Sequence, residues 1–244
     1  MKRSRKPSPA EFADADRDLI EVLAALEGAV NYADWLASLV QPHAQGRILE
    51  IGAGSGTITE RLASFGEVTA LEPSAALAES LRTRLTGRAE VVEGVLEHLD
   101  DGRRFDTAVM INVLEHIPDD VDALRRIHAL LAVGGRLVLW VPAFESLYGR
   151  FDQMIGHHRR YRRAQLVERC RSAGFEVIDC RYANLPGFFA WWLIVRLLRR
   201  VPTAGGLSTL YDRWAVPLIR RVEGRIRMPF GQSLLLVASR TAGE

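Results

Sequence analysis

The sequence predicts a doubly wound α/β domain, and three observations carry that prediction. Between residues 47 and 141 short β-rich runs alternate with helical patterns, and strand–helix–strand repetition requires a parallel sheet covered on both faces. The first of those runs stops at a cluster of glycines. The chain has 244 residues, 48% hydrophobic and 25% charged, which is room for one such domain with appendages. That composition excludes a disordered tail, a collagen-like fibre and a disulfide-stapled mini-protein.

In chain order, residues 11–41 read as one or two helices, with Trp35, Leu36, Leu39 and Val40 apolar. The strand candidates of the core are Arg47–Ile51, Glu67–Leu71, Ala89–Glu93, Phe105–Ile111 and Arg136–Val141. One helix is expected from about Gly56 to Ser64, and a second after a Ser74 cap, with Leu77, Leu81 and Leu85 at four-residue spacing. A third opens on Asp119, Asp120 and Asp122, charges that suit a helix N-terminus, and carries Val121, Leu124, Ile127 and Leu131 on one face. The pair Gly134-Gly135 is expected to end it. Residues 143–163 show much charge and little periodicity. A helix (about 164–173), a strand (Phe175–Arg181) and a last strand (Ser233–Ser239) follow, with an insertion of roughly fifty residues between those two strands. No internal repeat or low-complexity linker divides the chain.

The net charge of +2 hides an asymmetry: residues 1–144 sum to −7 and residues 145–244 to +9. All the basic residues of the second part are arginine, whose fork suits carboxylate and phosphate groups, so an anionic partner for that part is expected. Codon bias is the plain alternative for the arginine excess. The two cysteines, Cys170 and Cys180, can form at most one bridge, and no Cys/His spacing suggests a metal site. The start, MKRSRKPSPAEF, runs into acidic residues instead of an apolar segment and does not read as a secretory signal, so the expectation is cytoplasmic.

The sharpest feature is the run Arg-Ile-Leu-Glu-Ile-Gly-Ala-Gly-Ser-Gly-Thr, residues 47–57. A strand ending in glycines before a helix lets a ligand approach the backbone at the helix N-terminus. Gly52, Gly54 and Thr57 miss the strict dinucleotide pattern, and Glu50 stands two residues before the first glycine. An acid there repels a pyrophosphate and suits a cation. Glu72, at the end of the second strand, is placed to accept from both ribose hydroxyls. A nucleoside with a positive amino-acid tail in place of phosphates satisfies both acids, and S-adenosyl-L-methionine is such a molecule.

At these residues the chain resembles the class I S-adenosylmethionine-dependent methyltransferases. LEIGAGSGTIT resembles their first motif, LEPS the ribose-binding acid, FDTAVMINVLEHI the fourth strand and the stretch after it, and LLAVGGRLVLWVP the fifth-strand motif. The resemblance implies a Rossmann-like sheet of seven strands with the last one antiparallel. It implies that Glu50, Gly52, Ala53, Gly54 and Thr57 surround the methionine part and Glu72 with Pro73 the ribose. Gly94, Val95 and Leu96 fall to the adenine, and Asn112 and Val113 to the outer side of the cofactor. Where the family often has an aspartate for the adenine amino group this chain has Val95, so adenine is left to backbone groups and packing. On this reading one methyltransferase domain spans 1–244: a helical segment (1–45), a cofactor-binding core (46–142), a lid (143–163) and a cap insertion (183–230).

The lid reads Tyr148-Gly-Arg-Phe-Asp152, then Gly156-His157-His158-Arg159-Arg160-Tyr161, and its pattern Y-G-x-x-D-x-x-x-G-H-x-R-R-Y resembles a subgroup of these enzymes, some of them linked to surface-sugar or secondary metabolism. His157 is expected to act as a base oriented by Asp152, with Tyr148, Arg160 and Tyr161 on the acceptor. His158, Arg159, Arg162 and Arg163 read as solvated. His116 and Tyr32 are further acceptor-side candidates, His116 as a catalytic group, although it can equally close a loop; Glu115 reads as a cap for the helix beginning near Pro118. The apolar run Gly187–Val195, followed by Arg196, Arg199 and Arg200, is too short to cross a bilayer. It reads first as a buried cap helix or dimer contact, and second as a peripheral contact with an anionic membrane. The function expected is methyl transfer to an oxygen of a small or medium acceptor by a monomer or homodimer, with no nucleic acid and no metal. Nitrogen or carbon transfer, a nicotinamide-binding protein, or a non-catalytic cofactor-binding module are the alternatives.

Overall fold

The computed structural model describes residues 28–100, 102–197 and 209–241. The sequence readings for residues 11–27, Arg199 and Arg200 lie outside the described residues. Helix α1 (Val30–Val40) precedes β1 (Arg47–Ile51), α2 (Thr59–Leu62), β2 (Glu67–Glu72), α3 (Ala75–Arg84), β3 (Ala89–Glu93) and β4 (Phe105–Ile111). Then come α4 (Asp120–Leu130), β5 (Leu131–Pro142), α5 (Arg150–Met154), α6 (Arg163–Ser172) and β6 (Phe175–Ala183), and after them α7 (Leu185–Trp191), α8 (Val216–Glu223) and β7 (Ser233–Arg240).

The seven strands form one sheet in the order β3-β2-β1-β4-β5-β7-β6. The first five are parallel, and β7 runs antiparallel to both β5 and β6, as expected for the Rossmann-like sheet. Strands buried on both faces need near-continuous apolar runs, and β1 and β4 have them. Leu49, Leu71, Met110 and Leu139 pack on one face with Leu124 and Ile127 of α4. Ile48, Val68, Val109 and Trp140 pack on the other with Trp35, Leu36 and Val40 of α1. Strand order reverses between β1 and β4, so a crevice opens at their carboxyl ends, and ligands of doubly wound sheets bind there.

Two local expectations are corrected. The helix expected from Gly56 shrinks to Thr59–Leu62, because Gly54 and Gly56 hold positive φ and cannot begin it. The glycine pair does not end α4, which stops at Leu130; the chain turns at once into β5, whose register jumps from Leu131 to Arg136, with Gly134 at φ +81° inside that jump. The expected Ser74 cap forms, its Oγ accepting from Leu77 N at 3.4 Å. Cys170 and Cys180 are both buried free thiols.

After β5 the chain makes a single turn (Glu145–Leu147), then α5, then returns extended beside the strand end. Phe144 N donates to Tyr161 O at 2.8 Å and Tyr161 N to Pro142 O at 2.9 Å, while His158 N donates to Glu115 O at 2.8 Å. These bonds hold the segment over the carboxyl ends of β4 and β5. Among the described residues no helix is long and apolar enough to cross a membrane.

Candidate active site

The glycine turn after β1 is stitched to β2. Gly52 N donates to Leu71 O at 2.8 Å and Ala53 N to the same oxygen at 3.2 Å. Glu72 then closes the turn through both carboxylate oxygens, accepting from Gly54 N at 2.8 Å and Ser74 N at 2.9 Å. Burial raises the Glu72 carboxyl above its usual range, and those two amides pull it part of the way back. Glu50 is buried deeper. Its Oε2 has no hydrogen-bond partner, and burial pushes the carboxyl up to about 8, with the Thr59 hydroxyl working against the rise. A buried carboxylate without a counter-charge is costly, so this position suits a cationic ligand.

The far wall comes from β4. Asn112 adopts left-handed backbone at φ +53°, its N–H donating to Trp140 O at 2.8 Å, and this bend brings Val113 over the glycine turn. A Cβ on Gly52 would stand 2.5 Å from Val113 Cγ2, so the glycine is needed for space as well as for its φ of +72°. Thr57 lies half-buried at the rim, its hydroxyl paired with Ser55 at 3.1 Å, and Pro73 is half-buried beside Glu72. At the end of β3, Gly94 leaves room for the His98 ring, whose Nδ1 accepts from Val95 N at 3.4 Å; Leu96 points into the core.

The lid brings its own cluster together. Asp152 is fully buried and takes three donors: His157 Nδ1 at 2.8 Å, Arg160 Nε at 2.8 Å and Gly149 N at 2.9 Å. Burial alone would raise its carboxyl; the His157 hydrogen bond and the Arg160 charge outweigh it and hold the group below its usual value. The Arg160 guanidinium lies 4.6 Å over the Trp191 ring, with Nη1 buried and unpartnered. His157 Nε2 faces Glu115 Oε1 at 3.6 Å, and its ring meets His116 edge-on at 4.6 Å. Burial and the neighbouring histidines push His116 down to about 3, so that ring is neutral at physiological pH. Tyr148 donates its hydroxyl to His157 O at 2.7 Å and fixes the backbone there.

Four sequence readings change here. Tyr161 is completely buried and its hydroxyl donates to Asp120 at 2.9 Å, so it anchors the lid from below instead of meeting an acceptor. Tyr32 packs against Trp35 and Trp140, with its backbone N–H on Asp212; the structure does not bring it to the lid cluster. Arg159 is not solvated: it donates to Ile117 O at 3.0 Å and pairs with Asp120 at 2.9 Å. Glu115 does not cap α4; Asp119 does, accepting from Asp122 N at 3.0 Å. Glu115 is instead fully buried with neither oxygen hydrogen-bonded, and burial raises it to about 8. Its ligand atoms, with those of His116 and His157, lie within 4.8 Å of one another, a grouping invisible in linear spacing because Glu115 and His116 share the turn after β4 while His157 comes from the lid.

A family model described as a methyltransferase domain matches residues 25–179. The chain belongs to the methyltransferase domain family. S-adenosylmethionine is the methyl donor of this family. An uncharacterized methyltransferase of Geobacillus kaustophilus is 31% identical over 117 residues, 46% of this chain and 54% of that one. A ubiquinone biosynthesis O-methyltransferase of Xanthomonas euvesicatoria is 30% identical over 99 residues, 38% of this chain and 41% of that one. The chain thus spans about half the length of the curated relatives it matches. The 1,6-didemethyltoxoflavin-N1-methyltransferase of Burkholderia thailandensis, solved with 1,6-didemethyltoxoflavin and S-adenosylhomocysteine, shares the fold: TM-score 0.57 and 22% identity, covering 99% of this chain and 94% of that one.

The methyl donor carries a sulfonium and an ammonium, and the residues present fit it, since Glu50 offers a buried oxygen with no other partner. A pH dependence follows. With its carboxyl near 8 in the free protein, Glu50 is mostly protonated at pH 6.5, and a cation bound beside it favours the charged form. Binding of S-adenosylhomocysteine at pH 6.5 is therefore expected to release about one proton, with affinity rising as pH rises toward 8 by up to tenfold per unit. Calorimetry in buffers of different ionisation enthalpy measures the release. Glu50→Gln should bring it close to zero.

Proposed function

We propose that this methyltransferase transfers the methyl group to an oxygen, a hydroxyl or a carboxylate, of a small or medium acceptor bearing an anionic group. The observation that carries the reading is the buried Asp152–His157 pair. Nδ1 donates to Asp152, which leaves Nε2 as the basic nitrogen. That nitrogen faces the turn after β4, two residues from the Val113 that overhangs the glycine turn. A hydroxyl acceptor must lose a proton, and His157 takes it while Asp152 keeps the ring in the required tautomer. A carboxylate acceptor needs no base. Arg160 Nη1 is a buried donor without a partner, suited to the acceptor's anionic group. His116, held neutral, walls the site beside His157.

On the donor side, Glu50, Gly52, Ala53, Gly54 and Thr57 hold the methionine part and Glu72 with Pro73 the ribose. Gly94 and Val95 border the adenine, Leu96 behind them packs in the core, and Asn112 and Val113 close the outer side. The donor supplies a methyl group already activated on sulfur; the chain orients the acceptor, excludes water and removes a proton. The working parts are the N-terminal segment carrying α1, the core 46–142, the lid 143–163 with its Y-G-x-x-D-x-x-x-G-H-x-R-R-Y pattern, and the described residues of the cap 183–230. The Xanthomonas relative, an O-methyltransferase of ubiquinone biosynthesis, supports an oxygen acceptor.

The test incubates the full chain with methyl-labelled S-adenosylmethionine and pools of hydroxylated, carboxylated and aminated acceptors, and locates the label by mass spectrometry and NMR. Label on oxygen is expected. Label on nitrogen or carbon would move the acceptor atom. A protein stabilised by S-adenosylhomocysteine that labels nothing would be the non-catalytic module.

A further inference from the structure

We propose that the outer face of the cap insertion, formed by α8 and the turn before it, docks on an anionic lipid surface. Trp214 in the turn before α8, Leu218 and Val222 in α8, and Ile226 just past its end recur every fourth residue, the spacing of neighbours on one side of a helix. All four are exposed, at 66%, 63%, 40% and 60%. The helix already has a packing face, filled by Val216 and Ile219, so this stripe is a second apolar face left on the outside. Beside it lies a groove of about 560 Å³ lined by Asn31, Arg220, Arg221 and Arg225. Those three arginines and Arg213 are exposed.

The described part of the insertion holds two acids, and both are turned inward. Asp212 accepts from the backbone N–H groups of Asn31 and Tyr32, and Glu223 from those of Asn184 and Leu185. The outer face is thereby left positive and apolar together. The other arm of the insertion adds Phe189, Trp192, Leu193 and Leu197, so nine of the twelve large exposed hydrophobics among the described residues fall between 189 and 226. A second copy meeting this face across a two-fold axis would set arginine against arginine. A bilayer with anionic headgroups accepts both parts at once, tryptophan and leucine at the acyl boundary and arginine on the phosphates. The expected buried cap helix leaves Phe189, Trp192, Leu193 and Leu197 exposed in the single chain. On the inner side of that arm Trp191 Nε1 donates to Leu147 O at 3.3 Å and the ring lies under Arg160, so this arm abuts the lid.

The test is cosedimentation of the full chain with vesicles of phosphatidylcholine, or of an equal mixture with phosphatidylglycerol, while Trp emission is recorded. Binding to the anionic vesicles alone, with a blue shift and with loss at high salt, is expected. The triple variant Arg220→Gln, Arg221→Gln, Arg225→Gln should bind on the order of a hundredfold more weakly, each arginine near the surface contributing about fivefold. Leu218→Ser with Val222→Ser should weaken binding about tenfold. These exposed positions should leave the thermal shift by S-adenosylhomocysteine intact, and the salt dependence of the unaltered chain needs no variant. Equal binding to neutral vesicles, no binding to either, or binding unchanged in both variants overturns the proposal. A concentration-dependent dimer that shields Trp214 without vesicle binding assigns the face to a second copy and also overturns it. Sedimentation is read without turnover, so its outcome is separate from that of the acceptor reading.

Discussion

Replacing His157 by alanine is expected to lower kcat by about two to four orders of magnitude, the span of a lost general base, and to leave the affinity for S-adenosylhomocysteine unchanged. The residue touches Asp152, Glu115 and His116 but no atom of the glycine turn, so the donor side is spared. Raising the pH should restore part of the rate if the acceptor ionises unaided. Asp152→Asn is expected to lower kcat with KM nearly constant, because it disturbs the tautomer and orientation of the base and makes no acceptor contact. Arg160→Ala should raise KM and also lower kcat, since its Nε is committed to Asp152 while its Nη1 is free. It also strips a buried carboxylate of its counter-charge, which costs about 3–5 kcal/mol of stability, so melting curves accompany the kinetics. Near-native rates in His157→Ala and Asp152→Asn would reduce the lid to a cover. A rate abolished by chelator and restored by a divalent metal would make His157 a ligand and not a base.

The second large effect concerns a single methyl group. Gly52→Ala should abolish the stabilisation by S-adenosylhomocysteine, whereas Gly87→Ala should not. Both glycines have φ +72°, so both variants carry the same left-handed penalty, about 1–2 kcal/mol. They differ in what the new Cβ meets: Val113 Cγ2 at 2.5 Å for Gly52, and nothing within 4 Å for Gly87. Gly52→Ala must therefore displace Val113 or the turn, and each is a wall of the donor site. Adding Val113→Ala should recover part of the thermal shift. Equal behaviour of the two alanine variants would mean that the contact between β1 and β4 does not shape the site.

The parallel core was legible because its central strands β1 and β4 are buried on both faces and largely apolar, while the edge strand β3, only half-buried, still shows a β-rich run between turns. The expected spans of β3 and β4 match the observed ones, and β2 gains one residue. Helix ends were less legible where glycines crowd, since the residue type does not reveal which of them will take positive φ; α2 and the end of α4 are the two cases. On the donor side Glu50 and Glu72 stood out because an acid beside a glycine turn has few structural uses. Glu115 did not stand out. Its importance comes from burial without a partner, and burial of one residue in a turn leaves no periodic trace. Asp120 looked like any helix N-terminal acid, yet in the fold it receives Tyr161, Arg159 and Arg169 and ties the lid to α4 and α6. Tyr161 was misplaced for the same reason, because a tyrosine among arginines in sequence looks exposed.

Asn184 stands at the root of the cap, in left-handed backbone, with its side-chain amide on Gln232 Oε1 at 2.9 Å and its carbonyl on Gln232 N at 3.0 Å. Ala183 and Ser233 are paired across β6 and β7, and Gly231 sits so close to Ala183 that a Cβ there would meet its carbonyl oxygen at 2.1 Å. The two strands are thus a hairpin whose tip has been replaced by an excursion entering and leaving through one doorway. Closing a loop costs entropy that grows only with the logarithm of its length, so the sheet tolerates excursions of very different size at this point. The cap is an exchangeable cartridge: chimaeras that swap residues 185–231 between relatives should keep the donor half intact and transfer whatever the cap recognises.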